Sequence, residues 1–509
     1  MSSLKKINKM GLRRIVIGHY HYLPGGVTSV VRNMINSLGN RYEFILCCDR
    51  SMGVTGLGTL AEKKNVRFCD IPEIGYRDPA YYSSALFEKE KAALRKVFGK
   101  LDKKNTLFWM HNHHLGKNPA LTAAVEEFSR EGESPLLLQI HDFPECGRWS
   151  NYQFLKQYAP AWYPISPRVF YAAINKRDHA FLKEAGVPDE RLFYLPNSVT
   201  SSGPMMGENK QKAREKVRKF VLSAGFRYDD KAPLLVYPVR TIRRKNVLEA
   251  FLLSFIGQCN LIVTLPANSE PERPYERVVA AVAREPFFRG GWALSRAFPE
   301  SFPWVLSGAD LTLSTSVMEG FGLFFLEAKQ RGSNFWARAL SVMDDFPQLT
   351  RESLYETVPV PARLIDRPAL LQAYEAALYA LPLPHQKRRH AAEKMIPLLE
   401  KDNVDFSCLD VLQQQAILKE REKRELMRES LGGLKDRMLL FAGDFRGQGI
   451  DLQSFSQEAY AGRLGNVLQS MFTVTGETNS FSVDSELILD RFLIPENMKL
   501  LLSYKGEEE

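Results

Sequence analysis

Two glutamates surround a pair of glycines in the segment 314–328, which reads STSVMEGFGLFFLEA. Glycines let a backbone approach a ligand closely, and a helix that begins just after them would direct free N–H groups and a positive dipole end towards a phosphate. A carboxylate accepts hydrogen bonds from paired hydroxyl groups, such as those of a ribose. The pattern therefore predicts a sugar-nucleotide site. The residues concerned are Glu319, Gly320, Phe321, Gly322, Leu323 and Glu327.

The same segment has a purely structural alternative. Glu319 could cap the helix that follows, and Glu327 could form an ion pair on the protein surface. Either glutamate alone favours this alternative, whereas the two glutamates together with the glycines between them favour a binding site.

Strand and helix patterns alternate along the chain on both sides of residue 205. A β-branched run at 13–18, an amphipathic helical face over 27–38 and a second strand at 42–48 predict a parallel βαβ unit, and 106–110 and 136–140 add further strands. A second series has strands at 234–239, 261–265 and 311–316 and helices at 247–255 and 323–330. The two series therefore predict two doubly wound sheets, and such sheets bind ligands beyond the carboxyl ends of their strands.

The segment EGFGLFFLEA (319–328) resembles the E-x7-E signature of the retaining glycosyltransferases of the GT-B fold, in particular glycosyltransferase family 4. GVPDERLFYLPNSV (186–199) and PVRTIRRKN (238–246) resemble two further passages of that family. The similarity extends over about residues 13–345. It implies donor-sugar contact by Glu319, ribose contact by Glu327, and approach of the donor diphosphate to the loop at Gly25 and Gly26.

Arg240 and Lys245 follow the predicted strand 234–239, where a loop would face the ligand. A leaving nucleoside diphosphate gains negative charge as the glycosidic bond breaks, and fixed cations stabilise that transition state more than the ground state. The resemblance favours this role over a basic surface turn, which the neighbouring Arg243 and Arg244 would equally fit. Arg244 is a possible substitute for one of the pair.

The chain has no D-x-D triplet that could hold a divalent metal on the diphosphate, so the expectation is catalysis without a metal. Three histidines follow the strand 106–110: His111, His113 and His114. They could bind a metal ion, but no carboxylate or cysteine accompanies them at the spacing of a metal site. They are expected to hydrogen-bond an acceptor instead.

His141 and Asp142 follow the strand 136–140 directly. The resemblance implies that His141 contacts the donor sugar near the reacting carbon. Asp142 could orient His141, and it is also a candidate for binding the acceptor. A polar strand end with satisfied hydrogen bonds is the structural alternative.

The chain departs from the family pattern at three places. Asn246 follows Lys245 where glycine is usual, and Ser198 follows Asn197 where glycine is usual. After Glu327 the chain continues AKQRGSNFWARALSV, in which Gly332 occupies the family's glycine position but the apolar strand that should follow is poor. These departures affect the subfamily and the acceptor more than the fold.

The predicted fold class is α/β of the GT-B type, with two Rossmann-like parallel-sheet domains facing a cleft and a helical C-terminal extension. Residues 1–205 form an acceptor domain and 206–385 a donor domain, with the linker at 201–209. A helical segment, 386–440, is expected to pack back on the first domain. Residues 441–509 show no clear period and have no predicted structure.

Composition sets further limits. The 509 residues carry a net charge of +9, which either belongs to a solvated surface or attracts anionic ligands. Aromatic and basic residues do not alternate as they do in nucleic-acid binders, so nucleic acid is not an expected partner. Six scattered cysteines without C-x-x-C pairs and a short N-terminal apolar run favour a cytoplasmic protein, with peripheral membrane association as the alternative.

The predicted function is transfer of a sugar from a nucleoside diphosphate sugar to an acceptor hydroxyl, with retention of anomeric configuration. No cofactor is expected beyond the nucleotide sugar as co-substrate. The acceptor could be phosphorylated, a glycan or lipid-linked. The alternatives are a non-catalytic nucleotide-sugar-binding or partner protein on the same fold, and a nucleotide-sugar epimerase.

Overall fold

The computed structural model describes residues 12–199, 210–267, 269–294, 302–330, 332–443, 449–474 and 479–498. The chain forms two compact units. Unit 1 comprises Met1–Thr200 and Gln453–Leu493, and unit 2 comprises Ser201–Leu452 and Ile494–Glu509. The linker predicted at 201–209 lies outside the described residues.

Unit 1 is built on a seven-stranded parallel sheet with the order β3-β2-β1-β4-β5-β7-β8. Its central strands are short apolar runs whose side chains are buried on both faces, as covered parallel sheets require. The strands are β1 Arg14–Gly18, β2 Glu43–Cys48, β3 Val66–Asp70, β4 Thr106–His111, β5 Leu136–Ile140, β6 Pro164–Ile165, β7 Val169–Ala173 and β8 Leu192–Tyr194, of which β6 lies outside this sheet.

Five α-helices of unit 1 lie within the described residues 12–199: α1 Gly26–Leu38, α2 Ser84–Leu101, α3 Pro119–Glu131, α4 Trp149–Tyr158 and α5 Lys176–Glu184. The helical face predicted over 27–38 is confirmed, because Val30, Val31, Met34, Ile35 and Leu38 are buried in α1. Two helices begin at asparagine caps: the Asn118 side chain accepts from the Leu121 N–H, and that of Asn175 from the Asp178 N–H.

Unit 2 contains a six-stranded parallel sheet with the order β11-β10-β9-β12-β13-β14. Its strands are β9 Leu234–Arg240, β10 Asn260–Leu265, β11 Gly290–Trp292, β12 Leu311–Ser314, β13 Phe335–Arg338 and β14 Leu354–Tyr355, and a separate pair is formed by β15 Pro359–Pro361 and β16 Asn403–Asp405. The expectation of a poor strand after Gly332 is wrong, since all four residues of β13 are buried. The predicted fold class of two Rossmann-like parallel sheets is confirmed.

The helices of unit 2 are α6 Lys210–Ser223, α7 Val247–Ile256, α8 Arg273–Val282, α9 Phe302–Gly308, α10 Leu323–Gln330, α11 Arg367–Tyr379, α12 His385–Leu399, α13 Val411–Lys419, α14 Arg421–Ser430 and α15 Gly432–Ala442. None of the helices in the described ranges combines the length and apolar composition that crossing a membrane requires.

Residues 386–440 belong to unit 2, and their packing on the first domain stays a prediction. Within unit 2, their apolar and cationic groups have partners on α7 and its neighbours. Ile417 and Leu418 are buried, and the Arg424 guanidinium lies 5.1 Å from the ring centre of Phe255. The Gln414 amide also donates to the Asn246 side chain, at 3.2 Å.

The C-terminal segment returns to unit 1. It contains α16 Gln457–Thr473, a short strand β17 Phe481–Ser482 that pairs antiparallel with β6, and α17 Ser485–Phe492. The buried face of α16 joins the core that lies under β1, β2 and α1, with Leu464 and Leu468 fully buried. Part of the segment that had no predicted structure is therefore a layer of the unit 1 core.

Replacement of Leu468 by alanine should destabilise unit 1. The change removes a fully buried side chain from the core and leaves a cavity, which typically costs about 2–5 kcal/mol. Thermal or urea unfolding should show the loss, and Leu487→Ala, at an exposed leucine of α17, is the matched control. Equal stability of the two variants would contradict the assignment of α16 to the core.

Candidate active site

Two loops of unit 2 lie side by side because they follow neighbouring parallel strands, β9 and β12. Backbone and side-chain hydrogen bonds join them: the Val317 N–H donates to the Arg244 carbonyl at 3.0 Å, and the Thr315 hydroxyl donates to the Lys245 carbonyl at 3.1 Å. The Tyr237 hydroxyl, on β9, also donates to the Lys245 carbonyl, at 2.8 Å. The predicted cations and the E-x7-E segment thus come together at the carboxyl edge of one sheet.

Lys245 and Glu319 form an ion pair between these two loops. Their side chains are 14% and 15% exposed, so the pair is shielded from most of the solvent. Burial would raise the pKa of Glu319, but the charges of Lys245 and Arg244 and the hydrogen bond from Lys245 outweigh it and lower that pKa. Burial and the charges of Arg244 and Arg240 lower the pKa of Lys245.

Arg244 and Arg240 differ in their surroundings. The Arg244 guanidinium donates to the Met318 carbonyl at 3.1 Å and lies 3.7 Å from the Glu319 carboxylate. Arg240 is exposed at the end of β9 and makes no side-chain hydrogen bond or ion pair with any described residue. The predicted pair therefore consists of one cation already compensated by a carboxylate and one whose charge is available to a ligand.

The glycines of the E-x7-E segment make the turn that starts α10. Gly322 has a φ of +79°, and a Cβ there would lie 2.8 Å from the Phe325 ring, so only glycine fits without a shift. Phe321 is buried against Phe346, with 5.6 Å between the ring centres. Leu323 is the first residue of α10, as predicted, and Glu327 is exposed one turn further along.

Asn246 occupies the family's glycine position in a left-handed conformation, with φ +48° and ψ +47°. Asparagine tolerates this region better than other residues with a Cβ, which explains the departure from the family pattern. The Asn246 amide donates to the Glu249 carboxylate at 2.8 Å. The substitution thus preserves the backbone turn and anchors it to α7.

Sequence reasoning missed a buried charge network that supports this turn. Glu249 is fully buried and accepts from the Tyr355 hydroxyl at 2.7 Å and from the Arg338 guanidinium at 2.5 Å. Arg338 also pairs with Asp405 at 2.7 Å. The one carboxylate within the apolar helix VLEAFLLSFI indicates a buried charge. Its partners could not be predicted, because they lie far away along the chain.

Histidines converge at the carboxyl edge of the unit 1 sheet. His19 follows β1, His111 ends β4 and His141 follows β5, and these three strands are neighbours in the sheet. The His111 Nδ1 and His141 Nε2 atoms lie 2.9 Å apart, and the His19 Nδ1 lies 3.3 Å from the His111 carbonyl oxygen. The backbone N–H of His141 donates to the Asn112 side-chain oxygen at 2.8 Å.

His113 and His114 are buried separately from that group. The His113 Nε2 lies 3.0 Å from the Trp162 carbonyl oxygen, and the His114 Nε2 lies 2.9 Å from the Asp142 carbonyl oxygen. The three histidines of the predicted acceptor group therefore have different partners. Within the described ranges, no three His, Cys, Asp or Glu side chains are arranged to hold a metal ion.

Burial keeps these histidines neutral at physiological pH. It lowers the pKa of His19 from 6.5 to about 3 and those of His113 and His141 to about 4. Burial also lowers the pKa values of His111 and His114 well below 6.5. The group can offer neutral hydrogen-bonding nitrogens, with His141 8% exposed.

The other predicted residues of unit 1 lie on the same edge of the sheet. Asp142 forms an ion pair with Arg148, and its side chain is 31% exposed. Gly25 and Gly26 are exposed where α1 begins, without a side-chain cap, and a Cβ on Gly26 would meet nothing within 4 Å. The first-turn N–H groups of α1 are thus open to an anion, as helix N-termini allow.

Comparison with known proteins gives one close curated relative. The mannosylglucosyl-3-phosphoglycerate synthase of Petrotoga mobilis is 36% identical over 514 residues, which covers 97% of this chain and 100% of that protein. The chain belongs to the family of this synthase. The prediction that the chain is a glycosyltransferase is confirmed by its membership of this family. No family model matches the chain.

Solved structures with similar folds were also found. The Anabaena protein HepE, in complex with UDP and glucose, has a TM-score of 0.48 and 12% identity, and the match covers 90% of this chain and 100% of HepE. The sucrose-phosphate synthase of Thermosynechococcus elongatus has a TM-score of 0.49 and 12% identity, with 91% and 100% covered.

The buried histidines predict a strong loss of stability in mild acid. Their pKa values are lower in the folded state than in the unfolded state, so below pH 6.5 the unfolded chain binds more protons and unit 1 is destabilised as the pH falls towards 4. Each such histidine contributes a slope of about 1.4 kcal/mol per pH unit in that window.

His113→Gln tests this slope, because glutamine can still donate to the Trp162 carbonyl. Urea unfolding between pH 4.5 and about 6.5 should show a slope smaller by about one proton, or about 1.4 kcal/mol per pH unit. His390→Gln changes an exposed histidine of α12 and serves as the control. An unchanged slope in His113→Gln would mean that His113 is not buried as described.

Proposed function

We propose that this glycosyltransferase transfers a sugar from a nucleoside diphosphate sugar to an acceptor hydroxyl with retention of anomeric configuration. The Lys245–Glu319 ion pair at the carboxyl edge of the unit 2 sheet carries this proposal. It joins a cation suited to a diphosphate with a carboxylate suited to sugar hydroxyls, in two loops that hydrogen bonds hold together.

Arg240 and Lys245 bind the donor diphosphate in this proposal. Negative charge grows on the leaving diphosphate as the glycosidic bond breaks, and cations already in place stabilise it without reorganisation. Arg240 has no anionic partner among the described residues, and Lys245 already lies in a shielded position. Arg244, close to Glu319, adds to the positive charge of the same loop.

Glu319 orients the donor sugar, and Glu327 binds the ribose hydroxyls. Glu319 stays ionised because the neighbouring cations lower its pKa, so it accepts hydrogen bonds at neutral pH. Gly320, Phe321, Gly322 and Leu323 shape the turn and the start of α10 that approach the nucleotide. In the family's front-face route the leaving phosphate assists deprotonation of the acceptor hydroxyl, and no protein nucleophile is required.

His141 contacts the donor sugar near its reacting carbon, in the role that the family resemblance implies. Because burial holds its pKa at about 4, it acts as a neutral hydrogen-bonding group at physiological pH. Gly25 and Gly26 let the α1 backbone approach the phosphate. His111, His113 and His114 support the acceptor edge through their buried hydrogen bonds, together with Asp142.

The relative's name suggests the substrates. The name describes a mannosyl group joined to glucosyl-3-phosphoglycerate, and the match covers 97% of this chain and 100% of that protein. The same donor sugar and acceptor are therefore proposed here. We propose that a nucleoside diphosphate mannose is the donor and that glucosyl-3-phosphoglycerate is the acceptor. The positive net charge of +9 fits a phosphorylated acceptor.

Catalysis without a metal is a further part of the proposal. Arg240 and Lys245 supply the positive charge on the diphosphate that a divalent ion supplies elsewhere. Transfer activity should therefore be unchanged by excess EDTA. Activity that is lost with EDTA and restored by Mg²⁺ or Mn²⁺ would contradict this.

The function is tested with a panel of nucleoside diphosphate sugars. A ligand at about 100 times its dissociation constant stabilises the folded state by roughly 2.7 kcal/mol, which a thermal shift detects. The donor that shifts the chain is then incubated with glucosyl-3-phosphoglycerate, and NMR of the product gives its anomeric configuration. An inverted product would contradict retention, and a donor-derived epimer formed without acceptor would favour an epimerase.

Matched glutamine variants locate the site. Glu319→Gln should lower kcat by about 100- to 1,000-fold, because it removes charge that orients the sugar in the transition state. Glu327→Gln should instead weaken donor binding by about tenfold. Glu375→Gln, at an exposed glutamate of α11, is the control. Kinetics like those of the control in both variants would refute the assignment.

A further inference from the structure

Four loops that carry hydrogen-bond donors lie at the carboxyl edge of the unit 1 sheet, outside the residues used above for the donor sugar. His21 follows β1, Tyr76 follows β3, Lys117 follows β4 and Arg148 follows β5. These strands lie within five neighbouring positions of the sheet, β3-β2-β1-β4-β5, so their loops are adjacent.

The Tyr76 hydroxyl has a proton left to donate. The Leu23 N–H donates to the His21 Nδ1 at 3.2 Å, so that nitrogen is an acceptor and the neutral ring carries its proton on Nε2. The His21 Nε2 lies 3.1 Å from the Tyr76 hydroxyl oxygen and donates to it. Burial lowers the pKa of His21, which keeps the ring in this neutral form at physiological pH.

Lys117 is a partly buried cation without a carboxylate partner among the described residues. Its Nζ lies 5.4 Å from the centre of the Tyr76 ring. Burial and then the positive charge of Arg148 lower the pKa of Lys117. Arg148 is itself paired with Asp142, so the group of Lys117, Arg148 and Asp142 has one positive charge in excess.

Lys117 is therefore a partly buried cation beside the Tyr76 ring, and such a cation costs free energy unless an anion joins it. A phosphate monoester offers several oxygens that can each accept from a different donor, and cations beside a neutral hydroxyl donor are suited to it. A carboxylate can accept at the same place, but it has fewer oxygens for donors that come from several directions.

We infer that Lys117, Arg148 and the Tyr76 hydroxyl bind the phosphate group of a phosphorylated acceptor. This inference rests on the proposed function, because it names the part of unit 1 that selects the acceptor. Phosphate on the donor is the other possible source of the same chemistry. The donor diphosphate has its own cations in Arg240 and Lys245 of unit 2, and we therefore assign the unit 1 group to the acceptor.

Lys117→Met and Tyr76→Phe test the inference, since each removes one donor and keeps most of the side chain's volume. Calorimetry should show that each variant of the full chain binds glucosyl-3-phosphoglycerate at least about tenfold more weakly, because a hydrogen bond to a charged phosphate is lost. Binding of glucosylglycerate, which lacks the phosphate, should be unchanged. In turnover, the acceptor KM should rise while the donor KM and the rate of donor hydrolysis stay constant.

Lys104→Met and Tyr81→Phe are the matched controls. Lys104 is exposed near the amino end of β4, at the opposite edge of the sheet, and Tyr81 is 85% exposed. Thermal unfolding of all four variants checks that a loss of affinity does not come from misfolding. Full affinity in Lys117→Met and Tyr76→Phe, or an equal loss for both acceptors, would overturn the inference.

Three further outcomes separate the inference from the proposed function. A rise confined to the donor KM would assign the group to the donor phosphate and overturn the acceptor assignment. If the unaltered chain transfers no mannose but binds 3-phosphoglycerate in a way that Lys117→Met abolishes, the proposed transfer fails and the phosphate site is confirmed. If the unaltered chain binds neither phosphorylated compound, the phosphate site is refuted whatever the transfer activity.

Discussion

The ion pair between Lys245 and Glu319 is the interaction on which the proposed donor site depends. It exists because β9 and β12 are parallel neighbours, so the loops that follow them leave the sheet at the same edge. Each charge is shielded from solvent, and each would be costly without the other. The pair therefore holds a cation and a carboxylate at a fixed separation before any ligand arrives, which reduces the reorganisation needed in the transition state.

A network of buried charges holds the turn that follows Lys245. Glu249 connects the left-handed Asn246 to Arg338, and Arg338 connects in turn to Asp405. These residues belong to a helix and strands of the unit 2 core, so the loop that carries Lys245 is attached to rigid elements. The glycine that the family uses at position 246 would provide the same turn without this attachment.

Unit 1 combines neutral and charged groups in a different way. Its histidines converge in a buried layer where the low pKa values of His19 and His141 favour neutral rings. Positive charge is instead supplied by Lys117 and Arg148, on loops nearer the surface. The C-terminal helix α16 completes the core beneath this sheet, so the last part of the chain contributes to the stability of the edge that binds the acceptor in our proposal.

The sequence by itself determined the local features. The strand at 136–140, the helix at 323–330 and the buried face of α1 depend on short-range periodicity, and the turn at Gly322 on a conformation that only glycine adopts easily. Only the tertiary structure decided which groups meet: Glu249 with Arg338, His111 with His141, residues 386–440 with unit 2, and α16 with the core of unit 1. The physical reason is that these contacts join residues from about 30 to more than 400 positions apart, and a pattern of neighbouring residues carries no information about such distant partners.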